Sequence, residues 1–321
     1  MPFRLAEIAP VVPTSNLQPP NSGFRWKLLD AGPLWLDGGG MFGLVPRVVW
    51  SKTVATDDRN RIRLNHNSIL LHHPAEGPVV IEVGTGDKFD AKNRDIFGLT
   101  DRSIIPAVEE TGTQLVSVRH VIVTHLHFDH AGGLTRSSPC GPALTFPHAL
   151  VHAQAREWDD ALANNSVMTR TYFREHLDPI RDRLRLHDSP APFDPGYTPG
   201  REELPESPLE DRLAEVLPGI FVFRVPGHTW GQQAILFNDD RGRTVVYTPD
   251  VMPSVYHVGA AYSLAYDVEP YTSMISKRWF LHEAARRDWL LVLDHEPNTP
   301  LVRVRPDDRG WYKLVAEAAG T

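Results

Sequence analysis

Four side chains of metal-binding type stand within six positions in the segment THLHFDHAGG, namely His125, His127, Asp129 and His130. An extended chain points every second side chain to the same face, so His125 and His127 can hold one cation. Asp129 and His130 follow the turn and can face a second cation. Gly132 and Gly133 next in the chain carry no side chains, which lets a following helix begin close to the site.

One loop does not complete two coordination shells, so further ligands are expected downstream. His228 follows the strand pattern FVFRV, and Pro226 and Gly227 make the turn that directs its imidazole out of the strand. Asp250 ends TVVYTPD, and a carboxylate is the group that bridges two cations. His295 ends WLLVLDH. A single histidine after a strand is more often a hydrogen-bonded surface or core residue, but these three occur together with the first motif.

The set HxHxDH, a GHT histidine, a strand-terminal aspartate and a late histidine resembles the metallo-β-lactamase superfamily over about residues 24 to 305. The resemblance implies an α/β fold, a four-layer αββα sandwich of two mixed β-sheets flanked by helices. It also implies two divalent metal ions at the common edge of the sheets, with zinc expected and Mn, Fe or Co left open. The implied ligands are His125, His127 and His228 for one ion, Asp129, His130 and His295 for the other, and Asp250 as the bridge.

Within the superfamily, several segments are similar to the branch of quorum-quenching N-acyl homoserine lactone lactonases. These segments are LDGGGMFGLVP, GDKF, THLHFDHAGG and LAYDVEPYTS. True β-lactamases place a cysteine among the second-metal ligands, whereas this chain has Asp250 there. The single cysteine, Cys140, excludes an intramolecular disulfide and a thiolate cluster.

Two positions depart from the lactonase pattern. Pro253 stands where the best-known lactonases have a tyrosine that hydrogen-bonds the substrate carbonyl. Glu82 stands where the usual motif has an aspartate behind a metal ligand, and its extra methylene shifts any hydrogen bond to that ligand. The tyrosines available as replacements for the missing one are Tyr256, Tyr262 and Tyr266.

The resemblance predicts a hydrolase, most directly a lactonase that acts on N-acyl homoserine lactones or related esters. Two cations lower the pKa of a shared water, and one of them polarises the ester carbonyl. Asp129 or Asp250 would pass the proton to the leaving oxygen, and Asp129 is favoured because Asp250 is committed to bridging. The side chains expected to form an apolar pocket are Met41, Phe42, Trp230, Tyr256 and Tyr266.

Other functions of the same motif stay open. A phosphotriesterase or phosphodiesterase would use the same hydroxide on phosphorus. A thioesterase acting on glutathione conjugates would need a basic patch that is not visible after the last strand pattern. The fourth candidate function is that of a binding protein that kept the metal ligands without catalysis.

Composition limits the class of partner. The chain has 321 residues, of which 41% are hydrophobic and 23% charged, with a formal net charge of −7. The negative balance disfavours nucleic acid, and no apolar run approaches the roughly 18 residues of a membrane helix. We therefore expect a small-molecule substrate and no membrane partner, with a homodimer left open. The N-terminus lacks an apolar signal-peptide run, so the cytoplasm is the expected location.

Element patterns divide the chain into a proline-rich arm at residues 1–22 and a single hydrolase domain at residues 23–321. RWKLLD and PLWLDGG read as two strands joined by a turn at Ala31 and Gly32, and GGGMFG reads as a loop. Residues 153–186 read as helical, with a break at Pro179. Residues 188–208 contain six prolines and form either a surface connection or a lid.

The remaining periodic segments alternate between strands and helices along both halves of the chain, which is typical of an α/β fold. One helix is predicted at WFLHEAARRD. Strands are predicted at RLNHNSILLHH, PVVIEVG, LVSVRHVIV, FPHALVHA, GIFVFRV, QAILFND, TVVYTPD, WLLVLDHEP and VRVRP.

Overall fold

The computed structural model describes most of the chain, with the ranges 23–163, 171–194, 196–198, 204–205, 207–308 and 311–317. The predicted proline-rich arm at residues 1–22 lies outside these ranges, and so does part of the predicted 188–208 loop. Among the described helices, none is long and apolar enough to cross a membrane.

The strands in chain order are β1 (Arg25–Asp37), β2 (Arg61–His73), β3 (Gly77–Ile81), β4 (His120–Ile122), β5 (Thr135–Arg136), β6 (Ala143–Leu144), β7 (Leu150–Gln154), β8 (Leu184–His187), β9 (Ala214–Leu217), β10 (Ile220–Arg224), β11 (Gln233–Asn238), β12 (Thr244–Thr248), β13 (Leu290–Leu293), β14 (Leu301–Pro306) and β15 (Tyr312–Ala316). The α-helices are α1 (Gly38–Phe42), α2 (Arg47–Trp50), α3 (Ala91–Ile96), α4 (Ile104–Glu109), α5 (Phe128–Ala131), α6 (Ala155–Ala163), α7 (Arg174–Leu177) and α8 (Pro270–Arg286).

Two mixed sheets carry nearly all of these strands. The first has the order β1-β2-β3-β4-β7-β8, and the second has the order β15-β14-β13-β12-β11-β10-β9. In the first sheet β1, β2 and β3 pair antiparallel, while β3, β4, β7 and β8 run parallel. In the second sheet β12 and β13 are the parallel pair. The strands β5 and β6 form a separate two-stranded sheet.

Alternating side chains of the strands supply three apolar layers. On β2, Leu70 faces a cluster with helices α4 and α6, whereas its neighbours Ile69 and Leu71 face a cluster with side chains of the second sheet. The second sheet's other face packs on α8, as Val246 does against Phe280. Side chains of one strand thus pack on helices on one face and on the second sheet on the other. The fold is the four-layer αββα sandwich that the resemblance implies.

Some local predictions are corrected by the structure. Residues 25–37 form one continuous strand, and the expected turn is a bulge at which the register with β2 shifts between Asp30 and Pro33. Gly32 has a φ of 107°, and its N–H donates to the Asp30 carboxylate at 2.9 Å, so the chain kinks but keeps its pairing. The GGGMFG segment is a short helix, because Asp37 caps it by accepting from the Gly40 N–H at 3.0 Å.

Three strands of the two main sheets differ from the sequence prediction, and the short pair β5 and β6 was not predicted either. The end of the predicted helical stretch is β8, which pairs parallel with β7. Pro179 does interrupt the helical stretch, since α7 ends at Leu177 and a 3-10 turn follows over Asp178–Arg183. The sequence reading also missed β9 and β15, which are edge strands of the second sheet. A short edge strand buries few side chains, so its apolar pattern is weak.

Candidate metal centre

The HxHxDH segment follows β4, which ends at Ile122, three residues before the first histidine of the motif. His125 and His127 lie in the connecting loop, and their ring centroids are 4.5 Å apart. Asp129 and His130 lie on α5, the short helix that follows. All four side chains are buried.

Two glycines let this loop pack against the chain after β3. A Cβ on Gly132 would lie 2.2 Å from the Thr85 carbonyl oxygen, and one on Gly133 would lie 2.1 Å from that of Val83. The close approach that the sequence predicts is therefore made to the backbone of residues 83–85, and a 3-10 turn follows α5.

We expect Gly133→Ala to destabilise the fold by at least about 2 kcal/mol, because backbone atoms on both sides must move to admit the methyl group. Urea unfolding measures the loss. Gly39→Ala is the matched control and is expected to cost less, since the only neighbour of its Cβ would be one side-chain oxygen of the capping Asp37, at 2.9 Å, and no backbone atom. Equal stability of both variants would contradict the tight packing of Gly133.

The three other predicted ligands come from the second sheet. His228 follows β10, Asp250 follows β12 and His295 follows β13. Because β10 and β12 both pair antiparallel with β11, they run parallel to each other, and β12 is parallel to β13. The three strands thus end at one edge of the sheet. There the first sheet joins them, since the Asn65 N–H donates to the His295 carbonyl at 3.2 Å.

Two groups of donor atoms meet at this edge. The first consists of His125, His127 and His228, and the second of His130, Asp250, Asp294 and His295. Within each group the ligand atoms lie within 4.8 Å of one another. Asp129 adjoins the second group, with its carboxylate oxygens 3.6 Å from His295 Nε2 and 3.9 Å from His130 Nε2.

Asp250 lies between the two groups. One of its carboxylate oxygens is 3.1 Å from Nε2 of His228 in the first group and 3.7 Å from Nε2 of His130 in the second. The other oxygen is 3.5 Å from His295 Nε2. A carboxylate with its two oxygens placed in this way can bridge two cations.

Hydrogen bonds fix which nitrogen of three histidines faces the centre. The Nδ1–H groups of His130, His228 and His295 donate, respectively, to the Glu82 carboxylate, the Asp267 carboxylate and the Asn65 carbonyl, each at 2.9 Å. In the neutral imidazole, Nε2 then carries no hydrogen and presents a lone pair.

These lone pairs point at other acceptors. Nε2 of His130 and Nε2 of His295 are 3.2 Å apart, so neither can donate to the other when both rings are neutral. In addition, Nε2 of His125 and Oδ1 of Asp250 are buried without a hydrogen-bond partner among the described residues. Facing lone pairs and orphaned buried acceptors are what a cation satisfies, so the donor set fits divalent metal ions.

The same crowding shifts the pKa values. Burial and the neighbouring imidazoles hold the pKa of His125 and of His127 well below the ordinary value. Burial alone would also lower the pKa of His130, but the carboxylates of Asp129 and Glu82 raise it well above that value. Burial opposes ionisation of Asp250, yet the charges of the surrounding histidines keep its pKa well below the usual range.

Glu82 takes the place of an aspartate with a hydrogen-bonding role. Its carboxylate accepts from the backbone N–H of Thr124 and from His130 Nδ1. Glu82 has a φ of 62°, in the left-handed region. This backbone conformation and the longer side chain together place the carboxylate on both the ligand loop and a ligand imidazole.

Asp294 and Asp267 belong to the centre and were missed as site residues by the sequence reading. Burial and the charge of Asp250 raise the pKa of Asp294 well above its ordinary value. Asp267 lies within the LAYDVEPYTS segment, so the segment offered a signal for it. For Asp294 the only signal in the sequence was its position next to His295.

The predicted pocket residues fall into different surroundings. Met41 and Phe42 are 1% and 0% exposed and belong to an apolar cluster, where Phe42 stacks between Trp50 and His257. They therefore lie in the core and present no surface to a ligand, which corrects their predicted place on a pocket wall. Tyr256 packs at the edge of the same cluster.

Trp230 and Tyr266 are partly buried, and Tyr266 packs against the same apolar cluster as Tyr256. Trp230 lines a cavity of about 240 Å³ together with Tyr172 and Thr229. The ring of Tyr172 is centred 5.0 Å from that of His127. The hydroxyl of Tyr266 abuts Gly40, where a Cβ would lie 1.9 Å from it. Burial and the charges of Asp37 and Asp129 raise the pKa of Tyr266 to about 12.

Two further buried histidines, His66 and His257, belong to neither group, and only His66 lies against a proposed ligand. The ring of His66 lies 6.1 Å from that of His295, and its Nδ1–H donates to the Gly32 carbonyl at 3.0 Å. His257 instead bonds the Met41 carbonyl at 2.8 Å and lies in the core beside Phe42.

The fold and the two groups of donor atoms together define a class, the αββα proteins with clustered metal-binding side chains at the sheet edge. The model of the metallo-β-lactamase superfamily matches residues 61–295. The chain belongs to this superfamily.

Three known proteins are similar to the chain. A probable metallo-hydrolase of Mycobacterium tuberculosis is 27% identical over 201 residues, which cover 60% of this chain and 57% of that protein. A probable metal-dependent hydrolase from Staphylococcus aureus has a TM-score of 0.76 and 25% identity, over 94% of this chain and 99% of the other. AidC, a dizinc quorum-quenching lactonase solved with N-hexanoyl-L-homoserine as product, has a TM-score of 0.68 and 16% identity, over 94% and 99% of the two chains. This last likeness is one of fold.

Proposed function

We propose that the protein is a dinuclear metal-dependent hydrolase that opens lactones or cleaves related carboxylic esters. The observation that carries the proposal is Asp250, whose two oxygens lie within 3.1–3.7 Å of imidazole nitrogens from both ligand groups. His125, His127 and His228 would hold one ion, and Asp129, His130 and His295 the other. Asp294 is a further donor close to the second ion.

When bound, two divalent cations lower the pKa of a water molecule and polarise an ester carbonyl. Zinc suits the nitrogen and oxygen donors, as do Mn, Fe and Co. The dizinc lactonase with the same fold supports a lactone substrate. A cytoplasmic location stays a prediction from the sequence.

The chain's own groups would move the protons and hold the substrate. The oxygens of Asp129 lie 3.6 and 3.9 Å from the imidazole nitrogens of His295 and His130, whereas one oxygen of Asp250 lies 3.1 Å from that of His228. Asp129 is therefore the better group to take a proton from the attacking water and release it to the leaving ring oxygen. Tyr266 would donate a hydrogen bond to the carbonyl oxygen of the substrate. It would thereby take the role of the tyrosine that is absent where this chain has Pro253.

The cavity beside Trp230 would take part of the substrate, with Trp230, Tyr172 and Val268 as apolar walls and the Arg156–Asp160 ion pair on its polar side. Its floor includes Tyr172, which contacts the His127 ring, so a group bound there is adjacent to the first ligand group. Pockets of this kind are mostly apolar with a few polar groups that fix orientation.

A substrate panel tests the function. The protein is purified, its metal content is measured, and the two-metal form is assayed on acyl homoserine lactones, aryl esters, a paraoxon-type triester and a glutathione thioester. We expect the lactones or carboxylic esters to give the highest kcat/KM. Preference for the triester or thioester would replace the proposal with those activities, and two bound metals without any turnover would indicate a binding protein.

Tyr266→Phe is expected to lower kcat on the best substrate by about 100-fold, because one donor to the developing oxyanion is lost. The KM is expected to change little, since the bond strengthens as the charge forms. Tyr271→Phe serves as control, because Tyr271 is 51% exposed. An unchanged kcat in Tyr266→Phe would remove this tyrosine from the reaction.

A further inference from the structure

Glu157 is a fully buried carboxylate that the proposed reaction does not use. It lies on α6 in the segment AREWDD, which reads as a charged surface helix, yet its exposure is 0%. Burial of a carboxylate is costly unless hydrogen bonds compensate for the lost water. The contacts of Glu157 must therefore offset this cost.

Three donors surround this carboxylate, and each is next to a ligand of the first group. Its Oε1 accepts from the Leu126 N–H at 3.0 Å, and Leu126 lies between His125 and His127. Its Oε2 accepts from the hydroxyl of Thr229, the residue after His228, at 2.6 Å.

The third donor is the Tyr172 hydroxyl, which binds Oε1 at 3.1 Å. The ring of Tyr172 is centred 5.0 Å from that of His127, with 60° between the planes. Glu157 thus reaches the first ligand group through the backbone of one loop, a side chain of another and an aromatic ring.

The glycine after Trp230 brings the second loop against α6. A Cβ on Gly231 would lie 2.3 Å from the backbone nitrogen of Glu157 and 2.5 Å from its Cα. The loop that carries His228 is therefore pressed onto the helix, and Glu157 is at the contact.

We propose that Glu157 is a positioning residue that sets the geometry of the first metal site, because it ties the loop of His125 and His127 to the loop of His228. The inference rests on the proposed function only in that a metal ion occupies the first group. The hydrogen bonds of Glu157 go to Leu126, Thr229 and Tyr172, all beside the first group, so the larger effect is expected at the first site. Hydrogen bonds to a charged acceptor are stronger than neutral ones, which suits a carboxylate for this task.

The variants separate charge from shape. Glu157→Ala removes all three acceptor contacts. Glu157→Gln keeps the shape and one carbonyl oxygen for the Leu126 N–H, and the Thr229 hydroxyl can turn to accept from the new amide. Thr229→Val removes a single donor. Asp159→Asn is the matched control on the exposed side of the same helix.

Metal binding is the readout, and it needs no substrate. Metal-free protein is titrated with Zn²⁺ in equilibrium dialysis and with Co²⁺ under visible absorption, and His228→Ala and His295→Ala identify the bands of the first and second sites. We expect Glu157→Ala to weaken the first site by about 100-fold and Glu157→Gln by about 10-fold, with the second site unchanged. We expect Thr229→Val to weaken the first site as much as Glu157→Gln does, and Asp159→Asn to have the metal affinities of the wild type.

Outcomes separate this inference from the proposed function. Wild-type protein that binds no metal would overturn both. Wild-type protein with two metals and Glu157→Ala with the same two affinities would overturn the positioning role alone, as would equal weakening of both sites. Should Glu157→Ala fail to fold, Glu157→Gln and Thr229→Val decide, since each keeps most of the buried contacts.

Discussion

Asp250→Ala is expected to lower kcat/KM by at least about 10³-fold and to leave the protein with no more than one tightly bound metal ion. The reason is the position of Asp250, whose carboxylate lies 3.1 Å from His228 in one group and 3.5 Å from His295 in the other. Its loss removes an oxygen donor from both sites and the negative charge that offsets two cations. Elemental analysis and steady-state kinetics on the best substrate measure the two effects.

Two controls accompany this variant. Asp95→Ala removes a carboxylate whose side chain is 73% exposed, and we expect wild-type metal content and activity from it. Asp250→Asn keeps the shape and one oxygen, and it should retain more metal than the alanine variant. Full activity with two metals in Asp250→Ala would show that the two groups do not share this ligand.

His176→Leu is expected to make the protein markedly more tolerant of acid. His176 is 1% exposed and packs against the ring of Phe173, 5.3 Å away. Neither ring nitrogen has a hydrogen-bond partner among the described residues, and the half-exposed Glu175 carboxylate lies 3.6 Å from Nε2, beyond hydrogen-bond distance. Burial and the charge of Lys88 lower the pKa of His176 to about 3, against 6.5 for the unfolded chain. The folded protein therefore keeps this ring neutral where the unfolded chain binds a proton.

The sign of the effect follows from these two values. The contribution of His176 is fully present above pH 6.5 and is lost as the pH falls from 6.5 through about 3. The loss amounts to about 2 kcal/mol at pH 5 and more than about 4 kcal/mol at pH 3, as order-of-magnitude figures. Leucine has no proton to bind, so the variant should lose that much less stability over the same range.

Denaturant unfolding of both proteins from pH 7 to pH 4, with a chelator present throughout, measures the difference. The chelator removes the pH dependence of metal binding, and the titration of the other histidines is common to both proteins. His148→Leu replaces an exposed histidine and is expected to follow the wild type. Parallel stability curves for His176→Leu and wild type would contradict the buried neutral state of His176.

The clustering of the proposed ligands was predictable from sequence because they follow strands at fixed points. His228, Asp250 and His295 each come just after an apolar strand pattern, and parallel strands bring such ends to one edge. Glu157 was not predictable, since a glutamate in a charged segment reads as a solvent-facing residue until the loops that cover it are placed. Asp294 is similar, because only the packing of β13 shows that it turns inward beside His295.

Predictions from proximity in the sequence were wrong where tertiary packing determines the position of a side chain. Phe42 stands in a glycine-rich segment near the site, but the Asp37 cap folds that segment into a helix and turns the ring into the core. The bulge at Gly32 was read as a turn, because one glycine with positive φ serves either purpose. The αββα layers were predicted from the resemblance to the superfamily, and the structure agrees, since Leu70 on β2 faces one layer while Ile69 and Leu71 face another.

The backbone contacts between β2 and the chain after β13 have a consequence for how the molecule responds to its metal supply. Asn65 and Asn67 donate to the carbonyls of His295 and Asp294, so the two halves of the sandwich are joined at the very edge that carries the ligands. A cation held by side chains from both halves would add its binding free energy to that junction, about 2.7 kcal/mol at a free concentration 100 times its Kd. Scarcity of the metal would then lower the free energy of unfolding of the chain as well as remove the activity that depends on the metal.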